Sequence, residues 1–373
     1  MILTIIIAFI SLIGLMVLHE FGHFILAKKF GVRVEEFGIG FPPRLFGKKI
    51  GETIYSLNLL PLGAFVRMYG ETERIGDPKS FTGKPFWQKA LIVLGGVISF
   101  WIIAAILLSI VMGLGVPTVI GDEEDHDLVN PKVQIAAVAS HSPAEIAGIR
   151  VGDTIKKVSI SLNSEETTGS EATGSYNQFS INKVKELQKF IAAHKGQEII
   201  LTIQRGKEIT DISLIPRVSP PENEGAIGVI LVRTVLKSYP WYLAPIEGIK
   251  ATVLLTIGAL KGWGLALINL ISRKPTGVQI MGPVGIFGLF TQVSQLGVSY
   301  FLQFVAIISV FIALFNIIPI PVTDGGKLLF LIIEKIRGKA LNQKIEQNIN
   351  VICFALLIGL MIWVTIKDII RFF

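Results

Sequence analysis

The sequence predicts a polytopic α-helical membrane protein with four transmembrane helices and one small β-rich domain outside the membrane. Three observations carry this. Of the 373 residues, 51% are hydrophobic and only 17% are charged, with a mean hydropathy of +0.62, whereas a soluble globular chain is roughly 45–50% apolar. Four stretches have the roughly 20 apolar residues needed to cross a bilayer. Between the second and third, the alternation of apolar and polar residues at 133–139 and 198–204 has the period of half-buried strands. The same composition excludes a disordered chain, which would be poor in apolar residues. It also excludes a disulfide-stapled secreted module, because Cys353 is the only cysteine.

The first span, 1–27, is apolar to Leu18 and then meets His19. It lacks the positive n-region and small-residue cleavage site of a signal peptide, so it reads as a span. Residues 28–89 carry eleven basic against six acidic side chains. By the positive-inside rule this segment is cytoplasmic and the N-terminus lies outside. The second span, 90–116, contains no charge. The region 117–240 then falls outside, with helical spacing at 183–193 and a Ser/Thr/Glu/Gly tract at 163–178 that reads as a flexible loop.

Within 241–298, the stretch 246–271 is mostly apolar but holds Glu247, Lys250 and Lys261. Counting it as a span would put the basic loop 332–346, with Lys335, Arg337, Lys339 and Lys344, outside. An amphipathic helix at the outer interface is expected instead. The remaining spans are 299–331 and 347–370, and both termini lie outside. The net charge of +7 thus belongs to inner loops; membrane lipid is an expected partner and nucleic acid is not.

Chemistry sits where charge is scarce. His19-Glu20-Phe21-Gly22-His23 closes the first span. Two histidines at i and i+4 share a helix face and can converge on one Zn²⁺. Glu20 between them can act as general base toward a water activated by that metal, and a glutamate within a span marks function by default. A catalytic zinc needs a third protein ligand. His126, His141 and His194 all lie in the outer region. Cys353 has no companion ligand nearby and reads as a plain hydrophobe. Asp324, near the inner end of the third span, is the expected third ligand. The run Asn316-Ile-Ile-Pro319-Ile-Pro321-Val-Thr-Asp324-Gly325-Gly326 breaks the helix before it, and such freed backbone is tolerated at membrane depth only where it lines protein or water.

These motifs resemble the site-2 protease family of intramembrane zinc metalloproteases, in particular its bacterial branch that regulates sigma factors. The likeness rests on HEFGH at 19–23, NIIPIPVTDGG at 316–326 and a PDZ-like signature between them: Ser142-Pro143-Ala144, Ala147-Gly148 and Val151-Gly152-Asp153-Thr154-Ile155. The resemblance implies one extracytoplasmic PDZ-like α+β domain at about 130–218. It also implies a membrane-associated β-hairpin built from Gly38-Ile39-Gly40-Phe41 and Pro61-Leu62-Gly63-Ala64-Phe65-Val66. Tyr55-Ser56-Leu57-Asn58-Leu59 would be its substrate-pairing edge strand, with Gly63 and Asn316 also near the scissile segment.

His19, His23 and Asp324 would hold one zinc, with Glu20 the catalytic base. The implied substrates are single-pass membrane proteins, such as anti-sigma factors or remnant signal peptides, already cut once outside the cell. The zinc site would face the cytoplasmic side of the bacterial inner membrane. The chain departs from the family in having Thr323 for the usual leucine and Gln279 near a place that often carries asparagine. Gly95-Gly96-Val97-Ile98-Ser99-Phe100 lacks the usual second-span asparagine. A silent scaffold that binds partner C-termini through the PDZ-like domain is the alternative, and it has no need of Glu20. A metal transporter would want polar residues through the midplane, which spans two and four do not supply.

Overall fold

The computed structural model describes residues 2–71, 73, 75–124, 131–160, 179–206, 208–221, 224–274, 281–339 and 341–372. The tract 163–178, His126 and Gln279 lie outside these described residues. The chain divides into two units. One comprises Met1–Ile110, Tyr242–Thr291 and Leu302–Phe373; the other comprises Val111–Trp241 and Gln292–Phe301.

In the first unit, α1 (Ile2–Lys29) ends on Lys28 and Lys29, cations that suit a helix C-terminus. There follow β1 (Val34–Ile50), β2 (Thr53–Met68) and α2 (Phe86–Leu114). The two long strands do not make a simple ribbon. Residues 34–39 pair with 64–68 in antiparallel register, Val34 opposite Met68 and Ile39 opposite Ala64. Residues 36–39 also face 54–57 with both numbers rising, and 44–50 face 53–58 with numbers opposed. The spatial order is therefore 44–50, 53–60, 34–41, 64–68. Buried Glu36 stitches this ribbon internally, accepting from Arg44 at 2.6 Å and from the Ser56 hydroxyl at 2.7 Å.

The second unit holds β3 (Val116–Ile120), β4 (Lys132–Val138), α3 (Pro143–Ile146), β5 (Thr154–Ile160), β6 (Phe179–Ser180), α4 (Val184–Ala193), β7 (Ile199–Arg205), β8 (Glu208–Leu214) and β9 (Val229–Lys237). The strand order is β3-β9-β4-β5-β7-β8, with β6 beside β5. The alternating residues read from sequence form the core: Val133, Ile135, Ile199, Leu201 and Ile203 are all buried, and Leu187 and Ile191 of α4 join them. Asp153, 1% exposed, receives Arg205 through Nε at 2.8 Å and Nη2 at 2.7 Å, a two-pronged geometry suited to guanidinium. The sheet runs past both expected limits of 130–218, because β9 is an inner strand and β3 pairs with it.

The chain returns to the first unit in α5 (Ala244–Ile271). Then come α6 (Pro283–Leu296), α7 (Val298–Ile317), α8 (Asp324–Arg337) and α9 (Gln343–Phe372). Among the described residues five helices, α1, α2, α5, α7 and α9, have the length and composition of a membrane span, against four expected. The stretch expected to lie flat at the interface runs instead alongside α2. Gly248 abuts Ser109, and the Trp263 ring lies 6.0 Å from Phe311 of α7. Ser309 in turn donates to the Phe100 carbonyl at 2.8 Å. α5 therefore runs opposite to α2, with its start beside Ser109 and its later turns beside Phe311 of α7. Glu71, Lys89, Glu334, Gln343 and Glu346 line one cavity of about 500 Å³, so the two basic segments lie at one end of the bundle.

Asp368, near the end of α9, is 6% exposed and its Oδ2 accepts the amides of Gly282 and Gly285, each at 2.8 Å. A carboxylate at the start of α6 satisfies orphan amides and complements the helix dipole. Asp368→Ala leaves two buried donors without that acceptor. It is expected to cost about 1–3 kcal/mol, read as a lowered thermal midpoint of the detergent-solubilised chain.

Candidate metal centre

The site is assembled from the C-terminal half of α1, the middle of α2 and the break between α7 and α8. His19 and His23 stand one turn apart on α1 and are 6% and 7% exposed; Asp324 is 8% exposed. The two Nε2 atoms are 3.3 Å apart. They lie 3.5 and 3.4 Å from Asp324 Oδ2. Donors on a tetrahedral zinc with bonds of about 2.0–2.1 Å are about 3.3–3.4 Å apart, so the three edges fit one ion and leave a fourth corner open. Asp324 Oδ2 accepts no hydrogen bond from the described residues. An ionised carboxylate left so would cost several kcal/mol, which a bound cation offsets. The three form a group of possible ligands whose donor atoms lie within 4.8 Å of one another.

Each ligand is oriented by its neighbours. His23 Nδ1 lies 2.9 Å from the Ile92 carbonyl. A carbonyl can only accept, so the proton is on Nδ1 and Nε2 is free for metal. The His19 ring stacks on Phe100 with centroids 4.6 Å apart. Asp324 begins α8 after six non-helical residues, and Thr323 caps the break. Its hydroxyl lies 2.8 Å from the Ile318 carbonyl and 3.0 Å from that of Ile320, tying back carbonyls of the break that also accept the Ile320 and Thr323 amides. The threonine that replaces the usual leucine thus has work in this chain. Gly325 and Gly326 follow because a Cβ at either would strike the carbonyls of Ile317 or Ile320.

Glu20 lies between the histidines on α1, and its Oε2 accepts the Val66 N–H at 3.1 Å. The hairpin therefore delivers a backbone donor to the glutamate. Since Val66 N–H points away from 34–39, the stretch 64–68 is an outer strand whose free side faces the site. This corrects the expected edge. Tyr55, Ser56 and Leu57 are paired on both sides, with 37–39 and with 46–48, so their backbone groups are already used and cannot add a further strand. Ser56 and Asn58 are buried and bond inward, Asn58 Nδ2 to the Gly40 carbonyl at 3.1 Å. Tyr55 packs on Phe24 and Phe37, and Leu59 is exposed. Gly63 lies beside the outer strand, against the Phe41 ring. Asn316 donates to Ile312 within its own helix at 3.0 Å.

Sequence reasoning passed over Gly96. A Cβ there would collide with both imidazoles, so the glycine lets α2 approach the ligands; the Gly95-Gly96 doublet inside an uncharged span was the available signal. Gly→Ala in a helix interior ordinarily gains up to about 1 kcal/mol. Gly96→Ala is expected to do the opposite at the site, lowering zinc content measured by atomic absorption while helix content by circular dichroism holds.

Among known proteins, peptidase family M50 matches residues 7–360 of the chain. A protein of Clostridium acetobutylicum, assigned by name only as a zinc metalloprotease, is 32% identical over 372 residues, covering 98% of this chain and 97% of its own. A similarly assigned protein of Clostridium perfringens is 33% identical over 367 residues, covering 98% of each. The regulator of sigma-W protease RasP of Bacillus subtilis is 27% identical over 456 residues, covering 99% of each. The chain belongs to peptidase family M50, the site-2 protease family of zinc metalloproteases that its motifs resemble.

Proposed function

We propose that this metalloprotease cuts transmembrane segments of single-pass proteins within the bacterial inner membrane, after a first cut outside. The observation that carries the reading is Glu20, seated between two zinc ligands on an apolar helix and held by Val66 N–H. Zinc bound by His19, His23 and Asp324 supplies Lewis acidity, lowering the pKa of water and polarising a carbonyl. Glu20 takes a proton from the attacking water as the new C–O bond forms. It then gives that proton to the leaving amide nitrogen as the C–N bond breaks.

A transmembrane helix hides its carbonyls in i→i+4 hydrogen bonds, so the substrate must unwind. We place the unwound segment along residues 62–66 rather than 55–59, where β-addition replaces its lost backbone bonds. Asn316 is retained as a residue near that segment. The topology that goes with this reading has four net crossings, termini outside and the zinc site toward the cytoplasm. The outer domain, read as PDZ-like, would screen ectodomains or accept the fresh terminus; a silent scaffold using only that domain remains the competing reading.

Glu20→Gln is expected to retain one zinc per chain and to lose at least about 10²-fold in cleavage of a transmembrane peptide. Equal cleavage by both forms would refute the role of base. His23→Ala is expected to lose zinc. With Glu20→Gln as a trap, amides at 62–66 should slow in hydrogen exchange on adding substrate while those at 55–58 stay unchanged; the reverse pattern would restore the inner strand as the docking site.

A further inference from the structure

Glu71 and Lys327 take no part in the chemistry above, yet they close a ring of contacts around it. Lys327 follows Asp324 by three residues on α8, so the two share a helix side one turn apart. Its Nζ lies 2.9 Å from Glu71 Oε1. Glu71 sits in the turn that ends β2, its amide donating to the Met68 carbonyl at 3.2 Å. The same strand carries Val66, whose N–H holds Glu20. The ring thus runs from Asp324 through Lys327, Glu71, β2 and Glu20 to the histidines of α1. Only Glu20, His19 and His23 are fixed to one another by a shared helix. The third ligand and the substrate-docking edge come from separate elements that something must hold in register.

Apolar packing brings those elements together: Leu328 and Leu331 of α8 pack in the cluster that holds Met68, with Val66 beside it. Such packing is non-directional and does not choose which turn of α8 faces the end of β2. The ion pair does. The pair joins the first turns of α8 to the turn that ends β2, Nζ to Oε1 at 2.9 Å, so its effect belongs in geometry.

We propose that Glu71 and Lys327 are positioning residues whose ion pair registers the 62–66 edge and Glu20 against the helix bearing Asp324. The proposal rests on the protease reading. A misplacement of about 1 Å at a reacting centre can cost on the order of 10²-fold in rate, and the loss falls on kcat, because the edge itself is intact.

The test uses the full chain in proteoliposomes with a transmembrane peptide, comparing wild type, Glu20→Gln, Glu71→Gln, Lys327→Met, Lys327→Arg and the double variant Glu71→Gln/Lys327→Met. Each neutralising variant is expected to lower kcat about 10- to 100-fold, with KM within about twofold and zinc content and melting temperature unchanged. The double variant should be no worse than either single one, the signature of a shared interaction, and Lys327→Arg should recover most of kcat. Wild-type kcat in both single variants would overturn the proposal. So would loss in Lys327→Met alone, or loss that tracks departing zinc. Wild-type cleavage by Glu20→Gln would instead overturn the reading of the base, and this one with it.

Discussion

Three donor atoms, two from the first helix and one from near the end of the chain, must stand about 3.4 Å apart in a place water barely reaches. Much of the rest of the first unit answers to that requirement. The histidines can be a turn apart because α1 is an unbroken helix, but they can be buried only if α2 comes close. It does so at Gly96, while its Ile92 carbonyl and Phe100 ring fix the two imidazoles. The aspartate must come from a chain that stops being helical at the right depth. The prolines stop it, the Thr323 hydroxyl ties back carbonyls of the break, and the glycine pair lets α8 restart at once. A carboxylate buried there without a cation would be among the costliest groups in the fold. The local irregularities all serve the placement of the three proposed zinc donors.

How much of this was legible in the sequence depended on how local each signal is. Helix periodicity put His19 and His23 on one face, and the scarcity of charge within spans left Asp324 as their partner; both inferences need only composition and spacing. The strands at 133–139 and 198–204 were visible as alternation. The order of strands in the hairpin was not, because β1 and β2 each bend and pair twice. Residues 55–59 were an edge strand only by resemblance, and the pairing of 55–57 on both sides is a long-range fact that no local pattern records. Gly96 and Ile92 were missed for a related reason. One acts by lacking a side chain and the other through its carbonyl, and neither leaves a chemical mark in the sequence.

The backbone carries as much of the site as the side chains do. His23 is set by a carbonyl, Glu20 by an amide, and the proposed substrate by the free edge of a strand that uses its own amides and carbonyls as the recognition surface. In a membrane this economy has a physical cause. Unpaired backbone is expensive in lipid, so an exposed edge at that depth persists only where protein groups or a partner strand satisfy it. Glu20 satisfies one such donor through Val66. The proposed base and the proposed docking edge are then not independent devices, since a strand that displaced the hairpin would also disturb the glutamate.

Packing also corrects the expectation for α5. The charge rule argued against a fifth span on the premise that each apolar helix inverts the orientation of every later segment. That premise holds only for helices whose successor runs the opposite way. Here α5 packs beside α2 and α7, and the start of α6 is fixed to α9 through Asp368. Basic residues near 28–89 and 332–346 share one end of the bundle whatever depth α5 reaches. The charge rule led to a helix lying flat at the interface, whereas α5 is of span length and packs on α2 and α7, the latter leading to Asp324.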